Sequence, residues 1–254
     1  MTIALTRGVS PAIASCELEN LPRVPIDAAL AARQHRDYEL CLESCGLRVV
    51  SLPADPRFPD GLFVEDPALV LDEIAVICRM GAASRRGEAD SLAEALAPFR
   101  KLHWIREPAS IEGGDVMRIG RTLYCGISRR TNPEGARQLA GMVERLGYRV
   151  VPVPVSGCLH LKSAVCPVAD DVVLANRPWI DVSPLGDLRI LDVAADEPGA
   201  ANVLRIGSRI VMPSSFPATR DLLDRAGFET IPLDISELQK AEAGVTCSSL
   251  IFQA

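Results

Sequence analysis

The chain has 254 residues, 48% hydrophobic and 24% charged, with a formal net charge of −6. That balance suits one or two packed domains; with no basic run it excludes nucleic acid as a natural partner, and no apolar run approaches the roughly 20 residues of a membrane span. A mildly acidic surface suits a cationic small substrate, although acidity also serves solubility.

In chain order, Ile3-Ala4-Leu5 reads as a short strand. Ile13-Ala14-Ser15-Cys16 then has the form of a lipoprotein cleavage site, but Arg7, Gly8 and Ser10 interrupt the apolar stretch such a leader needs. A cytoplasmic protein is expected. The eight cysteines (16, 41, 45, 78, 125, 158, 166 and 247) have irregular spacing and no C-x-x-C pair. They suit a reducing compartment, where a buried thiol behaves as a small hydrophobe.

Amphipathic periodicity predicts helices over Asp27 to Cys45, Gly87 to Phe99, Asn132 to Leu146 and Ala218 to Ala226. Each leads into a β-like phrase, three of them opened by a glycine suited to a helix C-terminus: 46–53, 102–108, 147–154 and 227–233. A fifth phrase, 187–193, follows Arg177 to Pro184, which reads as loop or a single turn. After each phrase comes a second strand with a polar beginning: 63–70, 111–119, 159–165, 201–206 and 245–251. Further strands are expected at Thr122 to Cys125 and Ile210 to Met212.

Five strand-strand-helix-strand units point to one domain, residues 1–254, built as a five-bladed pseudo-symmetric α/β propeller. The N-terminal strand would complete the last blade. Periodicity alone leaves an open doubly wound sheet as the alternative, although no G-x-G-x-x-G follows any strand.

The unusual polar residues fall at one phase of the repeat, at the start of each second strand: Glu65 and Asp66, Glu112 and Asp115, His160, Asn202, and Cys247. Taken singly, a histidine or cysteine on a strand is more often structural than catalytic. Around an axis, however, these positions would converge. Cysteine, histidine and carboxylates together support thiolate attack on an electron-poor carbon. They equally admit a zinc site built from His160, Cys247 and Glu112. The surplus of carboxylates favours a flat cationic substrate such as a guanidinium, whose charge would also promote the Cys247 thiolate.

Several motifs resemble those of the dimethylarginine dimethylaminohydrolases. They are Phe63-Val-Glu-Asp66, Gly81-Ala-Ala-Ser-Arg-Arg-Gly-Glu88, Glu112-Gly-Gly-Asp115, Gly126-Ile-Ser-Arg-Arg-Thr-Asn132, Leu159-His-Leu-Lys-Ser163 and the closing stretch 233–250. The resemblance runs from about Arg7 to Phe252 and implies the five-bladed propeller.

It also implies Cys247 as nucleophile, His160 as general acid and base, and Glu112 as the carboxylate orienting His160. Asp66 would hold the guanidinium near Asp60, Phe63 and Glu65. Arg85 and Arg130 would bind the α-carboxylate, Leu18 would lie on a lid, and Ala241 with Glu242 would receive the α-ammonium. Arg86 and Arg129 neighbour these ligands and otherwise read as solvated surface charges.

The implied activity is hydrolysis of dimethylarginine or monomethylarginine to citrulline, without cofactor or resident metal. Zinc could still inhibit by capturing Cys247 and His160. Arginine deiminase, amidinotransferase and a methylarginine- or zinc-binding protein are the alternatives, and a homo-oligomer is open. Gly61-Leu62 after Asp60, Pro67 after Asp66 and Ala243 after Glu242 depart from the family pattern, which puts the preferred methylarginine in doubt.

Overall fold

In the computed structural model, which describes residues 1–254, the chain folds in the order of its repeats. Strand β1 (Thr2–Arg7) is followed by helix α1 (Ala28–Ser44) and strand β2 (Arg48–Leu52). The next unit is β3 (Ala68–Val70), β4 (Ile74–Ile77), α2 (Glu88–Leu96) and β5 (Lys101–Trp104). Then come β6 (Val116–Ile119), β7 (Thr122–Ile127), α3 (Pro133–Val143) and β8 (Arg149–Pro154). The fourth unit has the one-turn helix α4 (Leu161–Ala164), β9 (Val165–Pro167), β10 (Val172–Ala175) and β11 (Arg189–Asp192). The fifth has β12 (Leu204–Ile206), β13 (Arg209–Pro213), α5 (Pro217–Arg225) and β14 (Glu229–Leu233), before α6 (Ser236–Gln239) and β15 (Leu250–Gln253).

Local sequence explains where the helices begin and end. Asp27 caps α1 by accepting from the amides of Ala29 at 2.9 Å and Leu30 at 3.0 Å. Asn132 caps α3 through Gly135 at 2.8 Å, with Pro133 in the first turn where its missing N–H costs nothing. Helix α3 runs on through one 3-10 turn and stops at Gly147, whose φ of 83° is left-handed. In the fourth unit Pro178 and Pro184 each open a single 3-10 turn, which replaces the helix found elsewhere.

Each unit forms one three-stranded sheet, giving five blades. The middle strand pairs antiparallel with the strand before it and parallel with the strand beyond the helix, as β4 does with β3 and β5. The first blade is closed by both ends of the chain. Strand β1 lies antiparallel to β15, with Leu5 opposite Leu250, and parallel to β2, with Leu5 opposite Val50. The chain is thus a five-bladed α/β propeller.

Its core is divided into five apolar clusters, one in each gap between neighbouring blades. Alternate residues of one strand serve different gaps, as the two-residue period requires. Ile74 and Val76 of β4 pack with Leu123 and Cys125 of β7, whereas Ala75 and Ile77 pack with Ile3 and Leu5 of β1. Middle strands are therefore buried on both faces, and β4 and β10 are buried throughout.

The second strands begin later than their sequence suggested. The expected strands from Phe63, Ile111, Leu159, Ala201 and Val245 start instead at Ala68, Val116, Val165, Leu204 and Leu250. The polar residues before them sit in turns: Gly113–Asp115 is 3-10, and His160 precedes α4. The reason is hydrogen bonding, because backbone amides here bond across to the next blade's turn rather than along a ladder. Gly113 N donates to Asp66 O at 2.9 Å, and Glu65 N to Cys247 O at 3.2 Å. No helix is long and apolar enough to cross a membrane.

Candidate active site

The polar turns of all five blades meet at one end of the propeller axis. His160, Asp66 and Cys247 line a small cavity of about 20 Å³, together with Asp60, Phe63, Arg85, Arg130, Ala241 and Glu242 from the expected set. Glu112 lies directly behind His160, fully buried, and its Oε2 is 2.7 Å from His160 Nε2. The opposite ring nitrogen faces Asp66, with Nδ1 3.8 Å from Oδ1.

Two glycines make this approach possible. A Cβ on Gly114 would stand 2.6 Å from His160 Nδ1 and 2.7 Å from Asp66 Oδ1. One on Gly113 would stand 1.9 Å from the carbonyl oxygen of Glu65. The turn can therefore slide beneath the imidazole only without side chains, while Gly114 N donates to Asp66 Oδ1 at 3.1 Å.

Burial disfavours a charged His160, but Asp66, the Glu112 hydrogen bond and Asp115 outweigh it and take the ring up to about 9. Burial likewise pushes Glu112 up, yet the hydrogen bond and charge of His160, with Arg85 and Arg130 beyond, bring it down to about 2. The two form an imidazolium–carboxylate pair. Burial, with the charges of Glu65 and Asp66, pushes the Cys247 thiol far up, so the resting group is a neutral thiol. The Gly244 amide donates to its Sγ at 3.4 Å.

The two expected arginines are held differently. Arg85 is buried between acids, donating to Asp66 Oδ2 at 2.9 Å and bidentately to Glu88. Arg130 Nε donates to Glu19, its Nη1 lies 3.5 Å from Glu112 Oε1, and that nitrogen is buried without a hydrogen-bond partner. Arg86 and Arg129 are exposed.

Two residues of the expected set point elsewhere. Glu65 pairs with Lys162 and accepts from Thr246 Oγ1 at 2.8 Å, and it lines a separate axial cavity of about 280 Å³. Leu18 packs against the cluster containing Ile13 and Cys16, while its neighbour Glu17 lines the cavity of His160 and Cys247. The segment 17–21 is tied across the cavity. Glu17 N reaches both oxygens of Asp60 at 3.3 and 3.1 Å, and Ser84 Oγ donates to Glu17. The amides of Glu19, Asn20 and Leu21 all donate to Oε1 of Glu242, which sits at a φ of 58°.

Glu17, Leu159 and Ala243 also line the cavity; Leu159 opens one of the motifs and Ala243 is one of the departures from the pattern, whereas Glu17 is marked only by lying beside Leu18. Glu88 was visible only as the end of a motif, although its three-residue spacing from Arg85 is that of neighbours on one helical face.

For a metal, the ligand atoms that gather within 4.8 Å of one another belong to Asp66, Glu112 and His160. Cys247 is outside that trio, and Arg85 and His160 already occupy the two carboxylates. The arrangement is chemically an acid–base pair beside a thiol, with carboxylates for a cation.

A family model described as N,N dimethylarginine dimethylhydrolase, eukaryotic, matches residues 23–181. The chain is 38% identical to N(G),N(G)-dimethylarginine dimethylaminohydrolase of Pseudomonas aeruginosa, covering 89% of this chain and 90% of that protein. Identity to the Streptomyces coelicolor protein of the same name is 41%, covering 97% and 95%. The solved Pseudomonas aeruginosa structure, a cysteine-to-serine mutant complexed with citrulline, superposes with a TM-score of 0.92 at 34% identity, covering 98% of each chain. The N-terminal domain of a cyanobacterial arginine dihydrolase, at 17% identity and a TM-score of 0.83, covers 99% of this chain and 98% of that one and shares the fold. The chain belongs to the dimethylarginine dimethylaminohydrolase family.

Proposed function

We propose that the protein hydrolyses Nω-methylated L-arginines to L-citrulline, releasing methylamine or dimethylamine. The observation that carries this reading is the grouping of a neutral thiol, a charged histidine–glutamate pair and a buried aspartate around one cavity that also holds two arginines. A guanidinium beside Asp66 supplies the positive charge that Cys247 needs to lose its proton, which passes to solvent because His160 already carries its own.

The Cys247 thiolate then attacks the central guanidinium carbon. His160 gives its proton to the departing amine as the carbon–nitrogen bond breaks, leaving a covalent thiouronium. Water, losing a proton to His160, adds to the same carbon; as the carbon–sulfur bond breaks, the proton of the added hydroxyl passes to the departing sulfur, releasing citrulline and restoring the Cys247 thiol. Glu112 holds the imidazole and stabilises its charged form throughout. Arg130 Nη1, buried and unpartnered, is the better-suited anchor for the α-carboxylate; Arg85 contributes through its charge.

A cavity of about 20 Å³ accommodates one water rather than a methylarginine. Entry therefore requires the 17–21 segment to release its ties to Asp60, Arg130 and Glu242. The test is citrulline release from asymmetric dimethylarginine, monomethylarginine and arginine in parallel, with the Cys247→Ser variant. Turnover of the methylated substrates and its loss in the variant are expected. Turnover of arginine alone would identify a deiminase, and full activity of the variant would sink the mechanism.

A further inference from the structure

Asn202 occupies the same repeat phase as Asp66, Glu112, His160 and Cys247, yet it does not line the catalytic cavity. Its position is better understood from the links between blades. Around the axis, each polar turn is hydrogen-bonded to the next. Gly113 N bonds to Asp66 O at 2.9 Å and Glu65 N to Cys247 O at 3.2 Å. Leu161 N bonds to Asp115 Oδ1 at 2.9 Å. The remaining two links both belong to the Asn202 side chain.

Asn202 Nδ2 donates to Lys162 O at 3.1 Å and to Thr246 Oγ1 at 3.0 Å, while Oδ1 accepts from Thr246 N at 3.1 Å. Both amide hydrogens and the oxygen are therefore used. The residue is buried, at 5% exposure, and a Cβ on Gly244 would lie 2.2 Å from its carboxamide. One side of this staple is two residues from His160. The other is the residue before Cys247, in the turn whose Gly244 amide contacts the thiol.

We infer that Asn202 is a positioning residue for the reaction, holding the Cys247 turn in register with the His160 turn. The inference rests on Cys247 acting as nucleophile. It follows from the fold, since thiol and imidazole come from blades that are not neighbours: Asn202 bridges their turns from the blade between, while Glu65 meets the same two residues through the Lys162 ammonium and Thr246 Oγ1. A displacement of about 1 Å at a reacting atom can lower a rate about 100-fold.

The test compares Asn202→Asp, which keeps the acceptor and loses both donors, with the neutral Asn202→Ala. In each, kcat, KM and Tm are measured with the methylarginine that the parent turns over. A fall in kcat of about 10- to 100-fold in both variants, with KM within about threefold, is expected; loss in both excludes the added charge as the cause. Thr246→Val combined with Asn202→Asp should cost less than the product of the single losses, because both cut the same link. A lowered Tm with kcat unchanged would make Asn202 structural only, and a raised KM with kcat unchanged would make it a binding residue; either overturns the inference. Activity surviving in Cys247→Ser would instead overturn the nucleophile assignment itself.

Discussion

His160 and Glu112 form a pair whose charge depends on burial and contact together. Glu112 alone in that interior would be driven toward its neutral form, and His160 alone would lose its proton; Glu112 is charged chiefly because His160 is 2.7 Å away, and His160 because Asp66 faces it and Glu112 bonds to it. The stability consequence has a definite sign. His160 rises from 6.5 to about 9, so its contribution is complete below 6.5 and is lost as pH climbs through 9. Glu112 falls from 4.5 to about 2, so its contribution is complete above 4.5 and is lost as pH drops toward 2. The pair stabilises most between pH 4.5 and 6.5, which urea unfolding midpoints across the range would register. Glu112→Gln removes one of the charges that hold the proton on His160 and leaves Asp66 and Asp115 to oppose burial. The alkaline limb of kcat/KM is then expected to move to lower pH, with kcat reduced about 100-fold, in line with lost general acid–base catalysis; an unmoved limb would show that another group sets it.

Turns do the functional work of this fold, and they do so by pointing adjacent residues in opposite directions. Asp66 enters the cavity of His160 and Cys247 while Glu65 turns to Lys162 and the other axial cavity. Glu17 and Leu18 divide in the same way between cavity and core. The 17–21 segment is held by a clasp concentrated on one carboxylate that collects three consecutive amides. Hydrogen bonds to a charged group contribute about 1.5–3 kcal/mol each. Glu242→Ala should accordingly speed hydrogen exchange at the Glu19, Asn20 and Leu21 amides at least about tenfold, measured by mass spectrometry or NMR. Unchanged exchange would mean that Asp60 and Arg130 suffice to hold the segment.

At the scale of the whole molecule, closure matters because no blade has a core of its own. Each apolar cluster needs two neighbouring blades, and the first blade exists only when β1 has joined β15. Leu5 sits at that junction, 1% exposed, in the cluster shared with β4. Leu5→Ala is expected to destabilise by about 2–5 kcal/mol, read as a lower urea midpoint, with activity lost in parallel because the same closure brings the Cys247 turn to Asp66. An exposed control such as Leu222→Ala, at 39% exposure, should fall within about 0.5 kcal/mol of the parent.

Local rules in the sequence determined a large part of this protein. Helices α1 and α3 start at Asp27 and Asn132 because those side chains satisfy free amides, and β2 and β14 each follow a left-handed glycine, Gly46 and Gly227, that ends the helix before them. The shared repeat phase of Asp66, Glu112, His160, Asn202 and Cys247 was readable too, since it needs only counting. What the tertiary structure alone decided is direction and charge. The turns replaced the expected strand starts because their amides bond between blades. Glu65 left the substrate side, Glu88 became the partner of Arg85, and the His160 ring gained its proton, all through contacts between residues far apart in sequence or buried together only after closure. Propensity and periodicity act within a few residues along the chain, whereas burial and Coulomb interaction act across space, and only the closed propeller sets those distances.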